Sequence, residues 1–130
     1  MSLEGIYFKM IVAIAGSRTI TANDENYERL IVALKLLNLP TEHTVVTGGC
    51  RGVDKLGERY AEENDKQLIL FYPDWGLHGR SAGPIRNRRM ADACDVALLL
   101  WDGRSAGTRS MMQACVSFQK PFLCFPSPQG

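Results

Sequence analysis

Six of the ten arginines fall between Arg80 and Arg109, and only Asp92, Asp95 and Asp102 oppose them there. The planar guanidinium fork pairs bidentately with phosphate or carboxylate, so the clustering points to a local oxyanion site rather than a diffuse basic surface. Within the cluster, Arg86-Asn87-Arg88-Arg89-Met90 reads as the start of a helix. Helical spacing places Arg86, Arg89 and Met90 on one side and turns Arg88 away.

Three glycine-marked turns close apolar runs and supply complementary donors. Gly16-Ser17-Arg18 follows the first run, Gly48-Gly49 the second, and the loop Asp102-Gly103-Arg104-Ser105-Ala106-Gly107-Thr108 the third. Glycine lets the main chain approach a ligand, and a helix start presents amides with no intrahelical partner and partial positive charge. Gly103 and Gly107 bracket a small-residue loop, Ser105 lies between them, and Thr108 is expected to cap or begin a helix. The chemistry implied is capture of a small anionic, nucleotide-like ligand.

Carboxylates able to move a proton or offset positive charge are Asp54, Asp74 and Asp102. Asp54 also stands where it would stabilise a helix dipole. Asp74 shares a Gly/Pro-rich stretch with Trp75 and His78.

Positioning these groups requires alternating elements. Apolar, β-branched runs predict strands at residues 10–15, 43–47, 66–72, 95–101 and 122–125, each covered on both faces. Tyr27, Leu30, Ile31, Leu34 and Leu37 form one helical stripe, with Thr21 or Asn23 as N-cap and Pro40 beyond the end. Val53, Leu56, Gly57, Tyr60 and Ala61 form another. Residues 73–84 hold two prolines and three glycines and read as a loop long enough to act as a lid. A short helix should begin near Pro84, which suits a first turn, and a last helix covers residues 107–118. This is an α/β chain: a Rossmann-like three-layer αβα sandwich with a mainly parallel five-stranded sheet. With strand order 3-2-1-4-5, the winding would reverse between strands one and four and place the ligand crevice there.

At 130 residues the chain is one domain, residues 10–130. Residues 1–9 read as a leader ahead of a natural start at Met10. The net charge of +1 gives no global attraction to long nucleic acids or anionic membranes. Apolar runs of six residues at 10–15 and 96–101 are far shorter than the roughly 20 a membrane span needs. No cationic, apolar, small-residue succession marks a signal peptide. Cys50, Cys94, Cys115 and Cys124 have no CxxC spacing, so neither a metal site nor a disulfide framework is expected, and reduced thiols suit the cytoplasm. No motif calls for a cofactor.

GSR after the first strand, VVTGGxxGVD after the second, the DWxxxGxxAGPxRNxxM segment and the closing GT helix together resemble the SLOG superfamily. The similarity is greatest to its small stand-alone YAcAr-type branch, over residues 10–126. The resemblance implies a Rossmann-like domain for a nucleotide or nucleotide-derived ligand, with relatives among the Lonely Guy phosphoribohydrolases and DNA-processing protein A. It carries over Gly16, Ser17, Arg18, Gly48, Gly49, Asp54, Arg86, Asn87, Gly107 and Thr108 as pocket residues and allows a homo-oligomer. The phosphoribohydrolases bear PGGxGTxxE, whose glutamate would fall at Met111, a residue on the apolar stripe of its own helix. The primary expectation is therefore a binding or sensory module. The alternative is an N-glycosidase acting on a nucleoside monophosphate through Asp54, Asp74 or Asp102. Single-stranded DNA binding is disfavoured by the charge and by the scarcity of stacking aromatics.

Overall fold

The computed structural model describes residues 9–127. Five strands, β1 (Met10–Gly16), β2 (His43–Thr47), β3 (Leu68–Leu70), β4 (Val96–Trp101) and β5 (Phe122–Pro126), form one sheet in the order β3-β2-β1-β4-β5. All four pairings are parallel. Four helices cover it: α1 (Asp24–Leu37), α2 (Val53–Glu63), α4 (Ala82–Ala93) and α5 (Ala106–Ser117), with a single-turn α3 (Trp75–His78) before α4.

The period-2 alternation of the strands divides the core. Val12 and Ile14 of β1 join Val45, Leu98 and Leu100 beneath Tyr27, Leu30 and Leu34 of α1 and Val53 and Leu56 of α2. Ala13 and Ala15 point the other way, with Val46, Ala97 and Leu99, against Met90 and Ala91 of α4 and Met111, Ala114 and Cys115 of α5. Small side chains on that second strand face make room for two methionines. Winding reverses between β1 and β4, and their carboxyl ends open a crevice.

Local chemistry sets the element ends. Of the two expected caps, Asn23 is the one used: its Oδ1 accepts from the amide of Asn26 at 2.9 Å, and Asn38 closes α1 in a left-handed conformation. The third strand is shorter than expected. Only Leu68–Leu70 form the element, in register with Val45–Thr47 of β2.

The loop expected over residues 73–84 is corrected. Asp74 accepts from the Leu77 amide at 3.0 Å and caps α3, a 3₁₀ turn covers Gly79–Ser81, and α4 begins at Ala82 with Pro84 in its first turn. α5 begins at Ala106, with Ser105 rather than Thr108 at the N-cap position. The leader expected at residues 1–9 lies, except for Lys9, outside the described residues.

Candidate functional site

A cleft of about 380 Å³ opens at the carboxyl ends of β1 and β4. Its lining takes Gly16, Ser17 and Arg18 from the β1 exit, Asp54 from the first turn of α2, and Arg86 and Asn87 from α4. Ser105, Gly107 and Thr108 close it at the start of α5. Nine of the expected pocket residues thus share one cavity, although they come from four separate segments.

The start of α5 is held open. Ser105 occupies the N-cap position yet makes no capping hydrogen bond, because its Oγ donates to Asp102 Oδ2 at 2.7 Å. Asp102 also accepts from Thr19 Oγ1 at 2.6 Å and from the amides of Arg104 and Ser105 at 2.8 and 2.7 Å. These four donors, the Thr19 hydroxyl foremost, hold its carboxyl below the usual carboxylate range. Asp102 shapes the loop and does not line the cleft. The first amides of α5 have no intrahelical acceptor, and a Cβ placed on Gly107 would meet nothing within 4 Å. An anion can approach there without displacing protein.

Ser17 braces this arrangement. Its hydroxyl accepts from the Asp102 amide at 3.0 Å and shares a hydrogen bond with Thr108 Oγ1 at 3.1 Å, 91 residues away. Arg18, by contrast, is exposed at the mouth and makes no hydrogen bond or ion pair among the described residues.

The opposite wall is a buried polar cluster. Arg86 is 7% exposed, and its Nη1 donates to the Gly48 carbonyl at 2.8 Å and its Nε to Asn87 Oδ1 at 3.0 Å. A Cβ at Gly48 would lie 2.3 Å from Nη1, so only glycine lets the guanidinium reach that carbonyl. Asn87 donates onward to the carbonyl of Gly107 at 3.2 Å, tying α4 to the start of α5. Asp54 Oδ2 accepts from the Cys50 amide at 3.0 Å. Burial pushes the Asp54 carboxyl above its ordinary value, against the lowering effect of the Cys50 amide and the Arg86 charge.

Several expectations change at this point. Gly48 and Gly49 stand behind Arg86 and beneath Tyr72 instead of lining the cavity, and Gly103 turns the outer loop. Arg89 does not join Arg86: it is exposed, with its guanidinium 5.7 Å from the Phe71 ring. Asp74 is spent as a cap, which leaves Asp54 as the carboxylate of the cleft lining. Met111 is buried core, as its stripe indicated, and it also floors the cavity beside Met90. Cys50 is a lining residue that spacing alone did not single out. Its Sγ lies 3.8 Å from Arg86 Nη1, and its place directly after Gly48-Gly49 was the available signal.

The site can receive an anion at α5 and Arg18, hold polar groups at Asn87, Asp54 and Arg86, and pack an apolar surface on Met90 and Met111. Among the described residues no group of acidic, histidine or cysteine side chains could hold a metal ion, and no helix is long and apolar enough to cross a membrane.

Comparison with known proteins agrees with this architecture. The fold is similar to DNA processing protein A from Streptococcus pneumoniae, with a TM-score of 0.71 at 15% identity, covering 97% of this chain and 53% of that one. It is also similar to DNA processing protein A from Helicobacter pylori, a protein with a unique single-stranded DNA binding mode, with a TM-score of 0.68, 20% identity, and 93% and 67% of the two chains covered. The chain thus spans about half of the Streptococcus protein's length. In sequence it is 35% identical over 120 residues to the Gene 61 protein of Mycobacterium phage D29, covering 88% of this chain and 94% of that protein. Residues 10–78 match the family described as YAcAr, and the chain belongs to this YspA, cpYpsA-related SLOG family.

Proposed function

We propose that the cleft binds a nucleotide or nucleotide-derived ligand and that the protein acts as a ligand-binding or sensory module in the cytoplasm. The observation that carries this reading is the convergence of an uncapped α5 start, a free Arg18 and a buried Asn87–Arg86–Asp54 wall around one cavity of nucleotide scale. Helix starts favour phosphate through amides and dipole together. The four cysteines are all unpaired thiols, which fits a reducing compartment.

Calorimetric titration with a panel of nucleoside monophosphates tests the reading. Arg86→Ala is expected to weaken binding by about 1.5–3 kcal/mol, the range for hydrogen bonds to charged groups. Arg88→Ala, with its guanidinium 5.6 Å from the Phe118 ring on another face, is expected to do little. Equal losses for the two variants would sink the assignment.

Asp54 favours a second reading, N-glycosidic cleavage of a nucleoside monophosphate, because it is a buried carboxyl in the cleft whose pKa burial raises, the kind of group that serves in proton transfer. Cleavage also needs a fixed carboxylate to offset positive charge developing on ribose, and the motif position for that group is the buried Met111. Ribose 5-phosphate release from AMP is therefore expected to be negligible. Turnover of about 1–10³ per second, abolished by Asp54→Asn, would reverse the ranking. The +1 net charge supplies no basic track for a polyanionic DNA strand, so an oligonucleotide mobility shift is expected to be absent.

A further inference from the structure

We propose that Tyr72 and Trp75 form a nucleobase-stacking wall for this cleft, so that its ligand is a mononucleotide with its phosphate at α5 and its base against these rings. The inference rests on the reading of the cleft as a nucleotide site and names the part of the ligand that the lining leaves unrecognised.

No aromatic side chain lines the cleft, yet two aromatic rings stand in the open beside it. Tyr72 is 62% exposed and Trp75 51% exposed. A single exposed aromatic is ordinary, but two within four residues at the rim of a cavity mark a surface suited to an apolar or π-faced partner.

Their placement decides which partner. The Tyr72 ring lies over Gly49, where a Cβ would come within 2.5 Å of its Cε1. Gly49 sits between Gly48, whose carbonyl holds Arg86, and the cleft-lining Cys50. The Trp75 ring borders Gly83, with Cη2 3.6 Å from a Cβ built there, and Gly83 is three residues before Arg86 on α4. Both rings therefore extend the Arg86 wall outward on the β2 and β3 side of the sheet. The α5 start lies on the β4 side, across β1. Strands spaced about 4.8 Å apart put about 10–14 Å between the two ends, which suits a ligand with an anion at one end and a flat ring at the other.

Stacking on exposed aromatics accepts any base, because every base has a π-face. Specificity among bases then falls to polar groups on the β2 side of the cleft such as Asp54, which is bonded to the Cys50 amide, and the tyrosine and tryptophan supply affinity.

The test compares AMP with ribose 5-phosphate by calorimetric titration of the full chain and its Trp75→Ala, Trp75→Phe and Tyr72→Ala variants, with circular dichroism to verify folding. Trp75→Ala and Tyr72→Ala are each expected to weaken AMP roughly tenfold and leave ribose 5-phosphate unchanged, and Trp75→Phe to retain most of the AMP affinity. Unchanged AMP affinity in both alanine variants, or equal losses for AMP and ribose 5-phosphate, would overturn the stacking wall and leave the anion site standing. Wild-type protein binding neither ligand would overturn the cleft reading and the wall together.

Discussion

Asp54 is 5% exposed and forms no ion pair among the described residues, although the Arg86 charge lies close enough to act on it. Burial dominates its titration and raises its pKa, so the fold favours the protonated carboxyl more than the unfolded chain does. The group opposes folding increasingly as pH rises from the ordinary carboxylate range of about 4 through the raised folded value. Asp54→Asn keeps an acceptor for the Cys50 amide and removes the buried charge. It is expected to raise the thermal midpoint near neutral pH, with the gain vanishing below about pH 4. Thermal denaturation at both pH values checks this, and a pH-independent difference would show that burial is not the cause. Retaining a carboxylate at such a cost fits a functional group better than a structural one.

Between Trp101 and Thr108 the chain solves a problem of exposure. The side chain that would normally cap α5 is engaged by Asp102, so the helix start is left without a side-chain cap. Gly107 separates folding from binding at this element. It lies in the first turn of α5 with free space where a Cβ would stand, so Gly107→Ala should stabilise the fold by about 0.5–1 kcal/mol through lower chain entropy. Gly107 also lines the cleft at the proposed anion site, so the same methyl should weaken ligand affinity. Denaturant unfolding and calorimetric titration on one variant check the opposite signs. An unchanged affinity would place the anion elsewhere.

Across the whole molecule, rigidity is graded from the sheet centre outward. β1 is paired on both sides and carries core residues on both faces, whereas β3 is a three-residue edge. The segment from Tyr72 to Ser81 is half-buried to exposed throughout. Amides of β1 and β4 are expected to exchange hydrogen only on global unfolding, and those of residues 74–81 by local opening. Native-state hydrogen exchange checks the order. Such a gradient holds the α5 end of the cleft on rigid strands and leaves the segment that carries Tyr72 and Trp75 free to adjust.

Fold class and most elements were legible in the sequence because they depend on local periodicity, whereas the strand order entered only as a condition that the pairing of β1 with β4 met. Buried parallel strands need continuous apolar runs, amphipathic helices need stripes, and Asn23, Pro40 and Pro84 punctuate them by backbone rules that act within a few residues. Glycine spacing identified most cleft residues for the same reason, since strand-to-helix turns at a switch point must gather at one edge. Tertiary structure decided what each polar group does there. Asp54, Asp74 and Asp102 are alike as residue types, but long-range packing buries the first in the cleft, a local amide makes the second a cap, and Thr19, 83 residues distant, joins Arg104 and Ser105 in making the third a loop brace. Arg86 and Arg89 share a helix side by spacing, yet only Arg86 meets the Gly48 carbonyl, 38 residues distant in the chain. The position of Tyr72 and Trp75 beside the cavity, like the Ser17–Thr108 contact across 91 residues, arises where separate segments converge, and no local pattern encodes that convergence.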